Sequence, residues 1–119
     1  MAGLTHFFKK TLRPRGQRAF LSSIKIDKCR ILDVGCGNAS SVFLKTVKPD
    51  CVAYGIDVGD FNQSDKSKGL YQQYIISKPE MFSQAIQNIP EDFDVVISNH
   101  NIEHCDDPEG TFRAMVNRT

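Results

Sequence analysis

No apolar run in this 119-residue chain approaches the roughly 18 positions that a membrane-crossing helix needs. Basic and polar residues break up the first 20 positions, so no secretory signal is expected. The four cysteines, Cys29, Cys36, Cys51 and Cys105, nowhere stand in Cys-x-x-Cys spacing. That argues against a paired-cysteine metal or redox motif and for free thiols in a reducing cytosol. The Asn-x-Ser/Thr matches at Asn38, Asn62 and Asn117 are then chance matches in a cytoplasmic protein. Internal repeats and low-complexity segments are also missing. Acidic residues are absent from residues 1–26, which carry Lys9, Lys10, Arg13, Arg15, Arg18 and Lys25, while the remainder is net acidic. What remains is ordinary for one soluble domain with a modest core: 40% hydrophobic and 24% charged residues.

The basic stretch places Leu4, Phe7, Phe8 and Leu12 on one helical face. Residues 1–26 are expected to form a basic N-terminal helix or extension packed on the domain formed by residues 27–119. Its cationic side is either simply solvated or attracts an anionic substrate, nucleic acid or lipid headgroups. Pro14-Arg15-Gly16 breaks the run, so a nucleic-acid-binding domain is not expected.

The most informative stretch is Arg30-Ile-Leu-Asp-Val-Gly-Cys-Gly-Asn-Ala-Ser40, a short apolar strand running into a glycine turn. Gly35 and Gly37 let the backbone turn tightly and approach a ligand. Further apolar runs lie at Val52–Ile56, Tyr71–Ile76 and Phe93–Ser98. Helical spacing appears between them, with Val42, Phe43, Thr46 and Val47 in Ser40–Lys48 and Phe82, Ala85, Ile86 and Ile89 around Pro79–Asn88. The helical signal across residues 60–70 is the weakest, with only Phe61 and Leu70 apolar at its ends. A last helix starts with Asp107 as N-cap and Pro108 in its first turn, and carries Phe112, Met115 and Val116 inward. Strands alternating with helices predict an α/β fold, a Rossmann-like parallel sheet with flanking helices. Ligands of such sheets bind outside the carboxyl ends of the strands, where Asp33, Gly35, Gly37, Asp57 and Asn99 all fall. Asp57 follows Gly37 by 20 residues, a spacing that suits an acid accepting hydrogen bonds from ribose hydroxyls.

Two cofactors compete for that position. A dinucleotide fingerprint wants a third small residue where Ser40 stands, and a carboxylate at Asp33 would repel a pyrophosphate. A cationic ligand would welcome it. At this point the chain resembles the class I S-adenosylmethionine-dependent methyltransferases, whose acid-x-Gly-x-Gly motif is matched by Asp33-Val-Gly35-Cys-Gly37. The resemblance implies a sheet whose first four strands take the order 3-2-1-4. It implies S-adenosylmethionine as cofactor, with Gly35 and Gly37 lining its methionine part, Asp33 ordering the site near its amino group, and Asp57 on the ribose. Cys36, between the glycines, is a cofactor-binding position whose side chain reads as a small filler rather than a nucleophile. Glu80 and Met81, with Phe82, are candidates beside the adenine. Ser98-Asn-His-Asn-Ile-Glu-His104 and Asp106-Asp-Pro108 resemble the segment after the family's fourth strand, which places Asn99 at the methionine end. More narrowly, residues 96–108 look like bacterial small-molecule or sugar-pathway members.

His100-Asn-Ile-Glu103-His104 also fits an H-x-x-E-H pattern. It directly follows a strand rather than lying on a helix, so no metal is expected. His104, and after it His100, is instead a candidate general base on an acceptor hydroxyl. Family domains run to seven strands and only four are legible here, so the sequence reads as C-terminally truncated, with residues 93–98 at an open edge where chains could self-associate. The expected function is methyl transfer to a small hydroxyl- or amine-bearing acceptor. The alternatives are a non-catalytic cofactor-binding or assembly module and an NAD-dependent oxidoreductase.

Overall fold

The computed structural model describes residues 15–98 and 105–119, omitting the side chains of residues 15–17. The elements are α1 (Arg15–Ser23), β1 (Arg30–Val34), α2 (Ser40–Val47), β2 (Val52–Asp57), α3 (Asp65–Gly69), β3 (Gln73–Ile76), a 3-10 turn (Pro79–Met81), α4 (Phe82–Gln87), β4 (Val95–Ser98) and α5 (Pro108–Asn117). The sheet is parallel throughout and ordered β3-β2-β1-β4. This is the strand order implied by the resemblance.

Alternation along the strands divides the core into two layers. Leu32 and Val34 of β1 join Tyr54 and Ile56 of β2 against Phe82 and Ile86 of α4 and Ala114 and Met115 of α5. On the opposite face, Ile31, Ala53, Val95 and Ile97 meet Leu21 of α1 and Leu44 of α2. The near-continuous apolar strands therefore have helices on both faces. Residues 93–98 are not an exposed apolar surface, because Phe93, Val95 and Ile97 are buried. What β4 leaves open among the described residues is its outer backbone edge.

Local sequence explains two helix starts. Asp107 accepts a hydrogen bond from the Gly110 amide at 3.0 Å and Pro108 follows it, as expected for the start of α5. Ser64 and Ser67 cap α3 reciprocally. At its far end α5 is tied to the approach to β4, with the Phe93 amide donating to the Arg118 carbonyl at 2.8 Å. The Arg118 guanidinium donates to the Ile89 carbonyl at 2.6 Å.

Three expectations need correction. Val116 is 54% exposed, and α5 buries Thr111, Ala114 and Met115, because the face set by Ala114 and Met115 turns the next residue outward. In α2 the inward face is Ser41 and Leu44, flanked by half-buried Phe43 and Val47, while Val42 and Thr46 point to solvent. The segment from Pro79 splits into a 3-10 turn and a six-residue helix, although Phe82, Ile86 and Ile89 are buried as their spacing predicts. Leu21 is fully buried with β1 residues, so α1 packs directly on the sheet, and the Arg18 guanidinium lies 5.6 Å from the Phe43 ring centre.

No helix among the described residues is long and apolar enough to cross a membrane.

Candidate functional site

The glycine turn leaves β1 at its carboxyl end. Gly35 has φ 73°, a conformation that a side chain would strain, and its amide extends the ladder by donating to the Ile56 carbonyl at 2.8 Å. At Gly37 the constraint is space rather than backbone conformation, and it is milder. A Cβ there would lie 3.3 Å from both Asp57 Oδ2 and the Phe61 Cβ. Asn38 and Ala39 continue the turn in left-handed conformations, at φ 60° and 56°, and Ala39 caps α2 without a side-chain hydrogen bond. The turn is thus held in a conformation costly to its non-glycine residues.

Two buried carboxylates flank it. Asp57, 4% exposed, accepts from the Val58 amide at 2.7 Å. Burial pushes its carboxyl up, and the Val58 and Gly37 amides pull it back. Asp33, 1% exposed, lies on the same face of the sheet, and its Oδ2 accepts from the Tyr71 hydroxyl at 2.8 Å. Burial pushes the Asp33 carboxyl up to about 6, the Ser40 and Tyr71 hydroxyls pull it down, and the Asp57 charge raises it further. Its Oδ1 is buried without a well-formed hydrogen bond among the described residues.

The loop after β2 closes against the turn. The Asn38 amide donates to the Phe61 carbonyl at 3.0 Å, Asn62 Nδ2 to Asn38 Oδ1 at 2.5 Å, and Gln63 Nε2 to the Cys36 carbonyl at 2.7 Å. Phe61 itself is half exposed above Gly37 and Gly59.

The structure therefore brings Asp33, Gly35, Cys36, Gly37 and Asp57 together. Cys36, between the two glycines, is a small filler. Its side chain is fully buried, facing Gly55 and Tyr71, so only its backbone is available to a ligand. Burial next to Asp33 and Asp57 holds its thiol well above the usual range, which suits a packing residue. Glu80 and Met81 lie on the exposed 3-10 turn beyond β3, whose following residue Ser77 donates its amide to the Asp57 carbonyl at 2.9 Å. Asn99, His100 and His104 lie outside the described residues. No cluster of His, Cys, Asp or Glu among the described residues could hold a metal ion. Tyr71, Gly55 and the Phe61–Gln63 loop were not singled out by the sequence. The one signal for them was a glycine inside the apolar run of β2, a common mark of close approach by another group.

A family model described as "Methyltransferase domain" matches residues 4–118. The chain belongs to the methyltransferase-domain family. No curated protein matches it. Among solved structures it is similar to the plantazolicin methyltransferase BamL, in complex with a triazolic desmethylPZN analog and SAH (TM-score 0.60, 14% identity, covering 97% of this chain and 46% of that one). It is likewise similar to the plantazolicin methyltransferase BpumL in complex with SAH (TM-score 0.58, 14% identity, covering 96% and 52%). At that identity the likeness shows the fold, and this methyltransferase domain spans about half the length of both chains. S-adenosylmethionine is the cofactor of this family, and the residues here fit it. The floor at Gly37 is clear of side chain, Asp57 supplies a buried acceptor for hydroxyls, and Asp33 places negative charge beneath the turn.

Proposed function

We propose that this domain binds S-adenosylmethionine across the carboxyl ends of β1 and β2 and serves methyl transfer to a hydroxyl or amine of a small molecule. The observation that supports it is the convergence of Asp33, Gly35, Gly37 and Asp57 on one turn. Bound there, the cofactor supplies an electrophilic methyl group on a sulfonium. Asp57 accepts hydrogen bonds from the ribose hydroxyls, Gly35 and Gly37 offer backbone to the methionine part, and Asp33 favours its cationic end. Glu80 and Met81 border the adenine, and Asn99 the methionine end. His104, or His100, takes the proton from the acceptor where one must be removed. Residues 27–119 form the cofactor-binding half, preceded by residues 1–26 as a basic extension. The buried thiols of Cys29, Cys36 and Cys51 suit a reducing, cytoplasmic setting.

Calorimetric titration with S-adenosylhomocysteine and with NAD tests the reading. Binding of S-adenosylhomocysteine that weakens at least ten-fold in Asp57→Ala is expected. Binding of NAD alone would overturn the proposal, since a pyrophosphate is disfavoured beside Asp33. A second reading, an assembly module that keeps the fold, rests on the outer edge of β4, unpaired among the described residues. It predicts self-association through residues 93–98, and light scattering showing a monomer across a wide concentration range would remove it.

A further inference from the structure

We propose that Tyr71 is a positioning residue of the glycine-turn site, holding the Asp33 carboxylate in the one orientation that the cofactor's cationic end requires. The proposal rests on the cofactor reading above and adds to it a residue outside the motif.

The geometry is built from three strands. Asp33 of β1 is in register with Gly55 of β2, and Gly55 with Tyr74 of β3. Any side chain at position 55 would occupy the space beside Asp33. A Cβ there would come within 2.9 Å of the Cys36 sulfur and of two carbons of the Tyr71 ring. The missing side chain thus leaves a slot in the sheet face, and the Tyr71 ring fills it. Through that slot the Tyr71 hydroxyl reaches Asp33 Oδ2 at 2.8 Å, a contact between residues 38 apart in the chain. Tyr71 is itself only 6% exposed, so the bond is shielded from water and correspondingly strong.

The ring is also fixed from its outer side. Tyr74 stacks on it with ring centres 5.9 Å apart and planes 14° from parallel. The Tyr74 hydroxyl donates to Asp60 Oδ1 at 2.8 Å, and Lys68 Nζ donates to Asp60 Oδ2 at 3.1 Å. Asp60 lies in the loop that closes over the glycine turn. One chain of contacts therefore runs from the carboxylate under the turn to the loop above it. With one Asp33 oxygen committed to Tyr71, the other is left as a buried acceptor without a well-formed partner among the described residues. An aspartate free to rotate would not keep that oxygen in place. Burial and the neighbouring Asp33 carboxylate hold the Tyr71 phenol far above its usual range, so it remains a donor at every working pH.

The test is Tyr71→Phe, which keeps the ring and removes the hydroxyl. Its first readout needs no cofactor: the carboxyl carbon of Asp33 followed by NMR through a pH titration of the ligand-free protein. The described ionisable and polar groups around Asp33 are Tyr71, Cys36, Ser40 and Asp57. Only the Tyr71 donor is removed, and it favours the carboxylate, so the Asp33 midpoint is expected to rise above its value in the unaltered protein. The second readout is S-adenosylhomocysteine affinity, expected to fall about ten-fold near pH 7 and further on acidification through the raised midpoint. An unmoved midpoint overturns the proposal, as does a raised midpoint with unchanged affinity. Should Tyr71→Phe not fold, fluorotyrosine incorporation supplies a stronger phenolic donor and should move the midpoint down, and no movement overturns the proposal equally. Failure of the unaltered protein to bind S-adenosylhomocysteine would sink the cofactor reading and this inference with it, whereas an Asp33 midpoint insensitive to Tyr71 would sink this inference alone.

Discussion

Replacing Asp33 by asparagine should stabilise the fold at neutral and alkaline pH while damaging the site. The carboxyl is raised from its ordinary 3.8 to about 6, chiefly by burial. A group whose folded-state value lies above its unfolded value holds its proton longer in the folded state. Stability therefore declines as pH rises through the window from about 4 to about 6, and the whole cost is present above it. Two pH units at 1.36 kcal/mol each make that cost roughly 3 kcal/mol. Asparagine removes the charge and keeps an oxygen to accept from Tyr71. Its amide must find an acceptor where Oδ1 now lies, and imperfect pairing costs about 1–2 kcal/mol. A net gain of about 1–2 kcal/mol at pH 8 follows, shrinking to zero or reversing at pH 4, where Asp33 is already protonated.

Urea unfolding of both proteins at pH 4 and pH 8 measures this, with S-adenosylhomocysteine titration of the same samples. A variant less stable at pH 8, or a difference that does not change with pH, would refute the claim that burial of charge at Asp33 is a cost. A variant that still bound S-adenosylhomocysteine as tightly would show that the charge is not there for the cofactor. The combination expected, greater stability with lost binding, is typical of strain kept at a functional site.

Two further substitutions test the local physics. Ala39 caps α2 at φ 56°, a conformation costing a side-chain-bearing residue roughly 1–2 kcal/mol; Ala39→Gly should raise Tm by about 3–6 °C in thermal unfolding, and a fall would show that backbone entropy wins instead. Gly110→Ala would ordinarily stabilise a helix by about 1 kcal/mol, but here the Cβ would stand 2.0 Å from Asp107 Oδ2 and evict the N-cap, a loss of about 1–2 kcal/mol. A lower Tm is therefore expected for Gly110→Ala, and a higher one would mean that the cap contributes less than helix propensity.

The parts of this domain legible in the sequence are those whose signal is local. The strand-glycine-turn at residues 30–40 carries its own conformational demand, since Gly35 sits at φ 73°, a conformation that favours glycine. Asp57 was legible because strand and helix lengths in a βαβ unit fix its distance along the chain from the turn. The start of α5 at Asp107-Pro108 was legible for the same reason, cap and first turn being adjacent. The faces of α2 and α5 were less so. Val42 and Val116 have helical spacing to other apolar residues, yet both helices pack along a neighbouring stripe that only the sheet could select.

Tyr71 was illegible for a stronger reason. Its partner is 38 residues away, and in the sequence it reads as the start of the β3 apolar run, whereas the strand begins at Gln73. Tyr71 instead belongs to the turn before the strand, where the Gln72 amide donates to the Ala53 carbonyl at 2.7 Å. Gly55 carried the only trace of it. A glycine in the middle of a buried strand gives up packing area and weakens the strand. Here the vacated volume admits an aromatic ring bearing a hydroxyl, which gives one oxygen of the buried Asp33 carboxylate a donor at 2.8 Å. Since an unpaired buried charge costs far more than a missing methyl group, the glycine and the tyrosine are best understood as two halves of one solution to burying Asp33.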